Sequence, residues 1–258
     1  MYNRECTPPN PLSPLPLYLN VLQKTMPDQM ILSALSVKNG LLVIGKHQIN
    51  IDKKINIIAY GKASRLMYAA ARKIVGEDFF GKGMLITHED LSQFTKSSET
   101  EQVFKSSHPF ISELSLIAGK KVKSFVESGD SSDILLALIS GGGSAMVAMP
   151  IKDVNFKDKI SFISDLMHAS VPEREVNVIK KALSQLKGGK LAQASNAKVI
   201  VNCILSDERN HEISAISSGM TVCNPIIDPI YIMDQYNLWD LPQKNIAEAL
   251  RSHGKQKD

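Results

Sequence analysis

The sequence predicts an α/β fold built on a mainly parallel sheet covered on both faces. Helix-like and strand-like segments alternate along the chain. The stretch Ile134 to Ile139 is apolar at every position, which at that length suits a strand buried on both sides. Three strand candidates run straight into polar or glycine-rich turns: Gly61-Lys62, Gly141-Gly142-Gly143-Ser144 and Ser206-Asp207. In open parallel sheets ligands sit at the carboxyl ends of the strands, so neighbouring strands would bring these turns to one cleft.

Residues 18–35 read as helix, interrupted near Pro27. Residues 41–51 fit a short strand or hairpin with Gly45 at the turn, and 55–60 a compact apolar strand. Residues 63–75 follow as a helix, with Leu66, Met67, Ala70 and Ile74 at helical spacing. A short strand is expected over 84–87. Ser112 is a candidate N-cap for a helix to about Val126, whose stripe is Leu114, Ile117, Ala118, Val122 and Phe125. Helices are expected over 156–168 and 173–186, then a short helix through Leu191 and a strand over 198–205. Beyond Pro225 the pattern is irregular, with a last helical segment over 243–253.

The chain has 258 residues, 43% apolar and 22% charged, which are ordinary values for a globular protein. Its net charge of +4 is spread along the chain and gives no nucleic-acid footprint. Three cysteines, Cys6, Cys203 and Cys223, are too few and too far apart for a disulfide framework or a structural zinc site. They point to a reducing compartment, with the cytosol as the expectation and the mitochondrion as the alternative. No apolar run reaches membrane-spanning length, and residues 1–16 read as a proline-rich tail without secretory or presequence character.

Three glycines after a strand let backbone N–H groups approach an anion, and a plain tight turn would use them as well. Lys62, at a helix start just beyond a strand, could neutralise a phosphate or a charge developing in phosphoryl transfer. Lys187-Gly188-Gly189-Lys190 is a second glycine-lysine segment, preceded by Asn177, Lys180, Lys181 and Ser184. A solvated helix face with a glycine cap explains it equally. Asp207 at a strand end could hold Mg²⁺ or cap a turn. His108, before Pro109, could meet a small polar substrate. The GxxxxGK[ST], GxGxxG and GxSxG signatures are absent.

In order, these segments resemble the two-domain glycerate kinase family whose second domain is called MOFRL. The resemblance lies in Gly61-Lys62-Ala63, Ser107-His108-Pro109, Ser140 to Ala145, Glu175-Val176-Asn177, Leu186 to Ala192, Leu205-Ser206-Asp207 and Ser217-Ser218-Gly219. It covers the family's first domain from about Leu17 to Pro225. It implies a Rossmann-like three-layer α/β/α domain and ATP- and Mg²⁺-dependent phosphorylation of D-glycerate. It implies catalytic roles for Lys62 and Asp207, with Asp207 as a Mg²⁺ ligand. It implies substrate or phosphate contacts from His108, Gly141, Gly142, Gly143, Ser144, Ser184, Lys187, Gly188 and Gly189.

The chain departs from the family pattern in places. Glu208-Arg209-Asn210-His211-Glu212 replaces the usual Gly-Asp, Lys180 replaces an arginine, and Met220 a proline. The expected organisation is a tail over residues 1–16, one α/β domain over 17–228, and an extension over 229–258 with the second domain missing. Two alternatives stand beside a glycerate kinase. One is an inactive or regulatory short form that binds ligand or pairs with a full-length homologue. The other is a phosphosugar-binding α/β protein.

Overall fold

A computed structural model describes residues 14–90, 98–206, 212–222 and 227–253. The chain opens with α1 (Pro14–Lys24) and α2 (Pro27–Ala34), so helix begins inside the expected tail. Proline is tolerated in a first helical turn, where its missing N–H has no partner to lose. An antiparallel meander follows, β1 (Leu35–Lys38), β2 (Leu41–Ile44) and β3 (His47–Asn50). The expected helix end at Leu35 is therefore a strand start, and Leu35 pairs with Ile44.

The main sheet contains β4 (Ile55–Tyr60), β5 (Phe80–Thr87), β6 (Glu101–Lys105), β7 (Ile134–Ser140) and β8 (Val199–Leu205). Its order is β6-β5-β4-β7-β8 and every pairing is parallel. The side chains of β4 and β7 alternate between two cores, as a period-2 strand requires. Ile55, Ile57, Ala59, Ile134, Leu136 and Leu138 pack against α3 (Ser64–Phe79) and the meander. Ile58, Tyr60, Leu135, Ala137 and Ile139 pack against α4 (Glu113–Glu127) and the elements after β7. This is the expected three-layer arrangement. As anticipated, Ser112 caps α4 by accepting from the Leu114 amide.

After β7 come a single turn, α5 (Gly143–Met146), then α6 (Phe156–His168), α7 (Glu173–Ala182) and the short α8 (Lys190–Gln193). Helix α7 stops earlier than the apolar spacing suggested. The Ser184 hydroxyl accepts the amides of Leu186 at 3.2 Å and Lys187 at 3.3 Å, so a turn replaces the next helical turn. A third apolar cluster joins α6 and α7 to α9 (Pro229–Gln235) and α10 (Lys244–His253) through Phe162, Ile179, Met233, Ile246 and Leu250. Among the described residues no helix is long and apolar enough to cross a membrane.

Candidate functional site

The loops after β4 and β7 are stitched together at the carboxyl end of the sheet. The Lys62 amide donates to the Gly141 carbonyl at 2.8 Å, and the Ala63 amide to the Ser140 hydroxyl at 3.0 Å. The Ser64 hydroxyl, at the start of α3, donates to the Ile86 carbonyl at 2.9 Å and ties in β5. A Cβ on Gly61 would lie 2.4 Å from the Ser140 carbonyl oxygen, so only glycine allows the two strand ends to touch.

Gly142, with φ of 85°, caps α5 in the left-handed region. A Cβ there would lie 2.7 Å from the His108 ring and 3.1 Å from Lys62 Cγ. The triple-glycine loop, Lys62 and His108 therefore share one spot. Lys62 is exposed. A helix start leaves its first amides without intrahelical acceptors, so the Gly143 and Ser144 N–H groups are available to an anion. The His108 ring lies 5.8 Å from that of His88, which the sequence reading passed over.

The second glycine-lysine segment sits behind this loop. Lys187 is 2% exposed, and its ammonium donates to the Ser144 carbonyl at 2.8 Å and hydroxyl at 2.6 Å. Burial, then the neighbouring charges of Lys159 and Lys180, hold its pKa well below the usual lysine range. Gly188 and Gly189 donate their amides to the carbonyls of Ser218 at 3.0 Å and Gly219 at 2.7 Å. Ser184 is fully buried and closes the turn after α7. These four residues brace the cleft wall and do not face the cleft.

The opposing turn is unusual. Ser217, Ser218 and Gly219 have φ of 51°, 57° and 58°, a left-handed run that costs free energy at the two serines. Their neighbours hold them there. The Ser217 hydroxyl donates to the Ser140 carbonyl at 2.8 Å, and the Ser218 hydroxyl lies 2.9 Å from that of Ser144.

Between these parts lies a cleft of about 570 Å³. Gly141, Gly142 and Ser144 line one side and Glu173, Asn177 and Lys180 of α7 another. Phe110, Ile163 and Met167 supply an apolar wall. Asn177 and Lys180 were legible as two of several polar positions on an amphipathic helix, but nothing in the sequence told which way they face. Asp207 lies outside the described residues. Among the described residues no group of three histidine, cysteine or acidic side chains could hold a metal ion. Burial pushes the Cys203 thiol pKa up to about 11.

The domain family DUF4147, described as a domain of unknown function, matches residues 16–251. The chain is similar to the glycerate 2-kinase of Pyrococcus horikoshii, 29% identical over 88% of this chain and 50% of that protein. It is 30% identical to the glycerate kinase of Bos taurus over 91% of this chain and 47% of that protein. The solved PH0495 protein of Pyrococcus horikoshii superposes with a TM-score of 0.85 at 26% identity, covering 95% of this chain and 55% of that one. The chain thus spans about half the length of the curated relatives it matches.

Proposed function

The chain belongs to the DUF4147 family, the N-terminal domain of glycerate kinases, and from that premise we propose that it contributes to ATP-dependent phosphorylation of D-glycerate. One observation carries the reading: Lys62, His108 and the Gly141–Ser144 loop meet at the carboxyl end of the sheet, beside a cleft large enough for a small acid and part of a nucleotide. Phosphoryl transfer asks chiefly for positioning and charge stabilisation. In this reading the Gly143 and Ser144 amides hold phosphoryl oxygens. The Lys62 ammonium offsets charge on the group in transfer, and His108 orients the acid. The apolar wall excludes water from one side of the cleft.

Mg²⁺ would arrive with the nucleotide phosphates, which it prefers together with water and one or two carboxylates. The described residues offer no carboxylate cluster for it. Purified chain with D-glycerate, ATP and Mg²⁺ should release ADP, and Lys62→Ala should lower kcat/KM at least about 100-fold. Turnover that survives Lys62→Ala would remove the lysine from the reaction.

A second reading is a ligand-binding form that works with a full-length homologue. Phe110 at 81% and Met167 at 62% exposure favour it, as apolar side chains at a cleft rim invite a covering partner. Ligand binding without ADP release, with turnover restored by the homologue, would select it. Stabilisation by a sugar phosphate but not by nucleotide would select the phosphosugar alternative.

A further inference from the structure

A chain of hydrogen bonds runs from the buried interior to the cleft. It starts at the Lys187 ammonium and passes to the Ser144 hydroxyl at 2.6 Å, then to the Ser218 hydroxyl at 2.9 Å. It ends at Asn177 Oδ1, 3.3 Å from the Ser218 hydroxyl. An ammonium has no lone pair and can only donate. With Lys187 protonated, Ser144 Oγ accepts from it, which frees the Ser144 proton for Ser218. Ser218 then directs its proton to Asn177, whose only side-chain acceptor is Oδ1. The order of donors fixes the amide without appeal to its appearance, since the two ends of an Asn amide look alike.

With Oδ1 engaged, Nδ2 keeps both of its protons, and Asn177 is one of the residues that line the cleft. Among the described residues Nδ2 meets no acceptor. Across the cleft stand Gly142 and Ser144, and Lys180 lies one turn along α7. We propose that Lys187 and Asn177 act as a pair, in which the buried lysine orders the serine chain so that Asn177 presents its amide N–H groups to an anionic oxygen of the ligand. Asn177 is then a ligand contact, selective for carboxylate or phosphoryl oxygen over a hydrogen-bond donor. Lys187 is a positioning residue that never touches the ligand. The inference deepens the reading of this cleft as the glycerate site and rests on it for the identity of the acid.

The test uses the ¹⁵N-labelled full chain. The Asn177 side-chain NH₂ signals are assigned by their loss in Asn177→Leu, which keeps volume and adds no charge. D-Glycerate and, separately, inorganic phosphate are titrated in. The expected result is a shift of the Asn177 NH₂ signals on saturation, and affinity about 10- to 100-fold weaker in Asn177→Leu. Lys187→Met should lose the Asn177 response and weaken binding, although it leaves every cleft-lining side chain in place. Ser218→Ala breaks the chain while keeping Lys187, and should do the same if Lys187→Met fails to fold.

Movement of the Gly142 and Ser144 backbone amides with Asn177 unmoved would overturn the pair and leave the glycerate reading standing. An Asn177 response undiminished in Ser218→Ala would overturn the ordering role of the chain. A response to phosphate but not to glycerate would support the pair and refute glycerate as the acid. No cleft response to either ion would overturn both.

Discussion

Two segments of this protein look alike in sequence and do opposite things. Gly141-Gly142-Gly143-Ser144 and Lys187-Gly188-Gly189-Lys190 each put adjacent glycines at a turn, and both contain left-handed glycines. The first lines the cleft, with Lys62 and His108 against it. The second gives its amides to the carbonyls of Ser218 and Gly219, and its lysine to Ser144. The difference teaches that a glycine run announces close backbone approach but not what is approached. Only the fold decides whether the neighbour is a ligand or another turn of the same chain.

The comparison can be broken most forcefully at Gly143. A Cβ there would lie 2.4 Å from Ser217 Oγ and 2.7 Å from the Tyr60 ring, both buried. Gly143→Val should cost about 3 kcal/mol in urea unfolding and abolish ligand binding. A near-native midpoint would mean that the Ser217 turn yields readily. Lys187→Met should cost about 2 kcal/mol, because the Ser144 carbonyl loses its donor while most of the volume is kept. Stability equal to wild type would show that burying this cation brings no net gain.

Gly188 offers a milder contrast. Its φ is 66°, but the nearest atom to an added Cβ is Lys181 Cβ at 3.4 Å. Gly188→Ala should cost only the backbone term, about 1–2 kcal/mol, and leave ligand affinity unchanged. A loss of affinity would place this turn in contact with the ligand after all.

The smallest effect is on pH dependence. Lys159, 7% exposed, donates to the Leu183 carbonyl at 2.6 Å. Burial, then the charges of Lys190 and Lys180, bring its pKa down to about 7. Between about 7 and the ordinary lysine value the unfolded chain holds the proton that the folded one has released, so stability rises with pH in that window. The gain from pH 7 to 8 should be below about 1 kcal/mol, and Lys159→Met should flatten it. A melting temperature falling over the same interval would mean that Lys159 stays charged.

Much of the fold was legible because β4, β7, α3, α4 and α6 carry uninterrupted apolarity or clean helical stripes. Two strands were not legible. Leu35–Lys38 is short and mixed in burial, and Glu101–Lys105 lies at the sheet edge with every residue partly exposed or more. Neither buries enough apolar surface to impose a period. The end of α7 was obscured because Leu183 and Leu186 stay buried in the turn that follows it, prolonging the helical spacing past the helix. In the candidate site, Lys62 and the triple-glycine loop could be singled out from their positions after strands, and His108 from its place before Pro109. The bracing roles of Ser184, Lys187, Gly188 and Gly189 depend on partners 30 or more residues away, which local sequence does not reveal.

The strand order also bears on how the polypeptide assembles. The meander over residues 35–50 pairs neighbours in the chain, whereas Ile55 must wait for Ile134, and Ile134 in turn for Val199. Closing such long loops costs entropy before any contact repays it, so local pieces form early and the central parallel pairings late. During synthesis, Lys62 would leave the ribosome long before the glycine turn it meets. The candidate cleft is then among the last parts of the molecule to exist, and a nascent chain halted before Ser140 would carry a complete meander and no cleft.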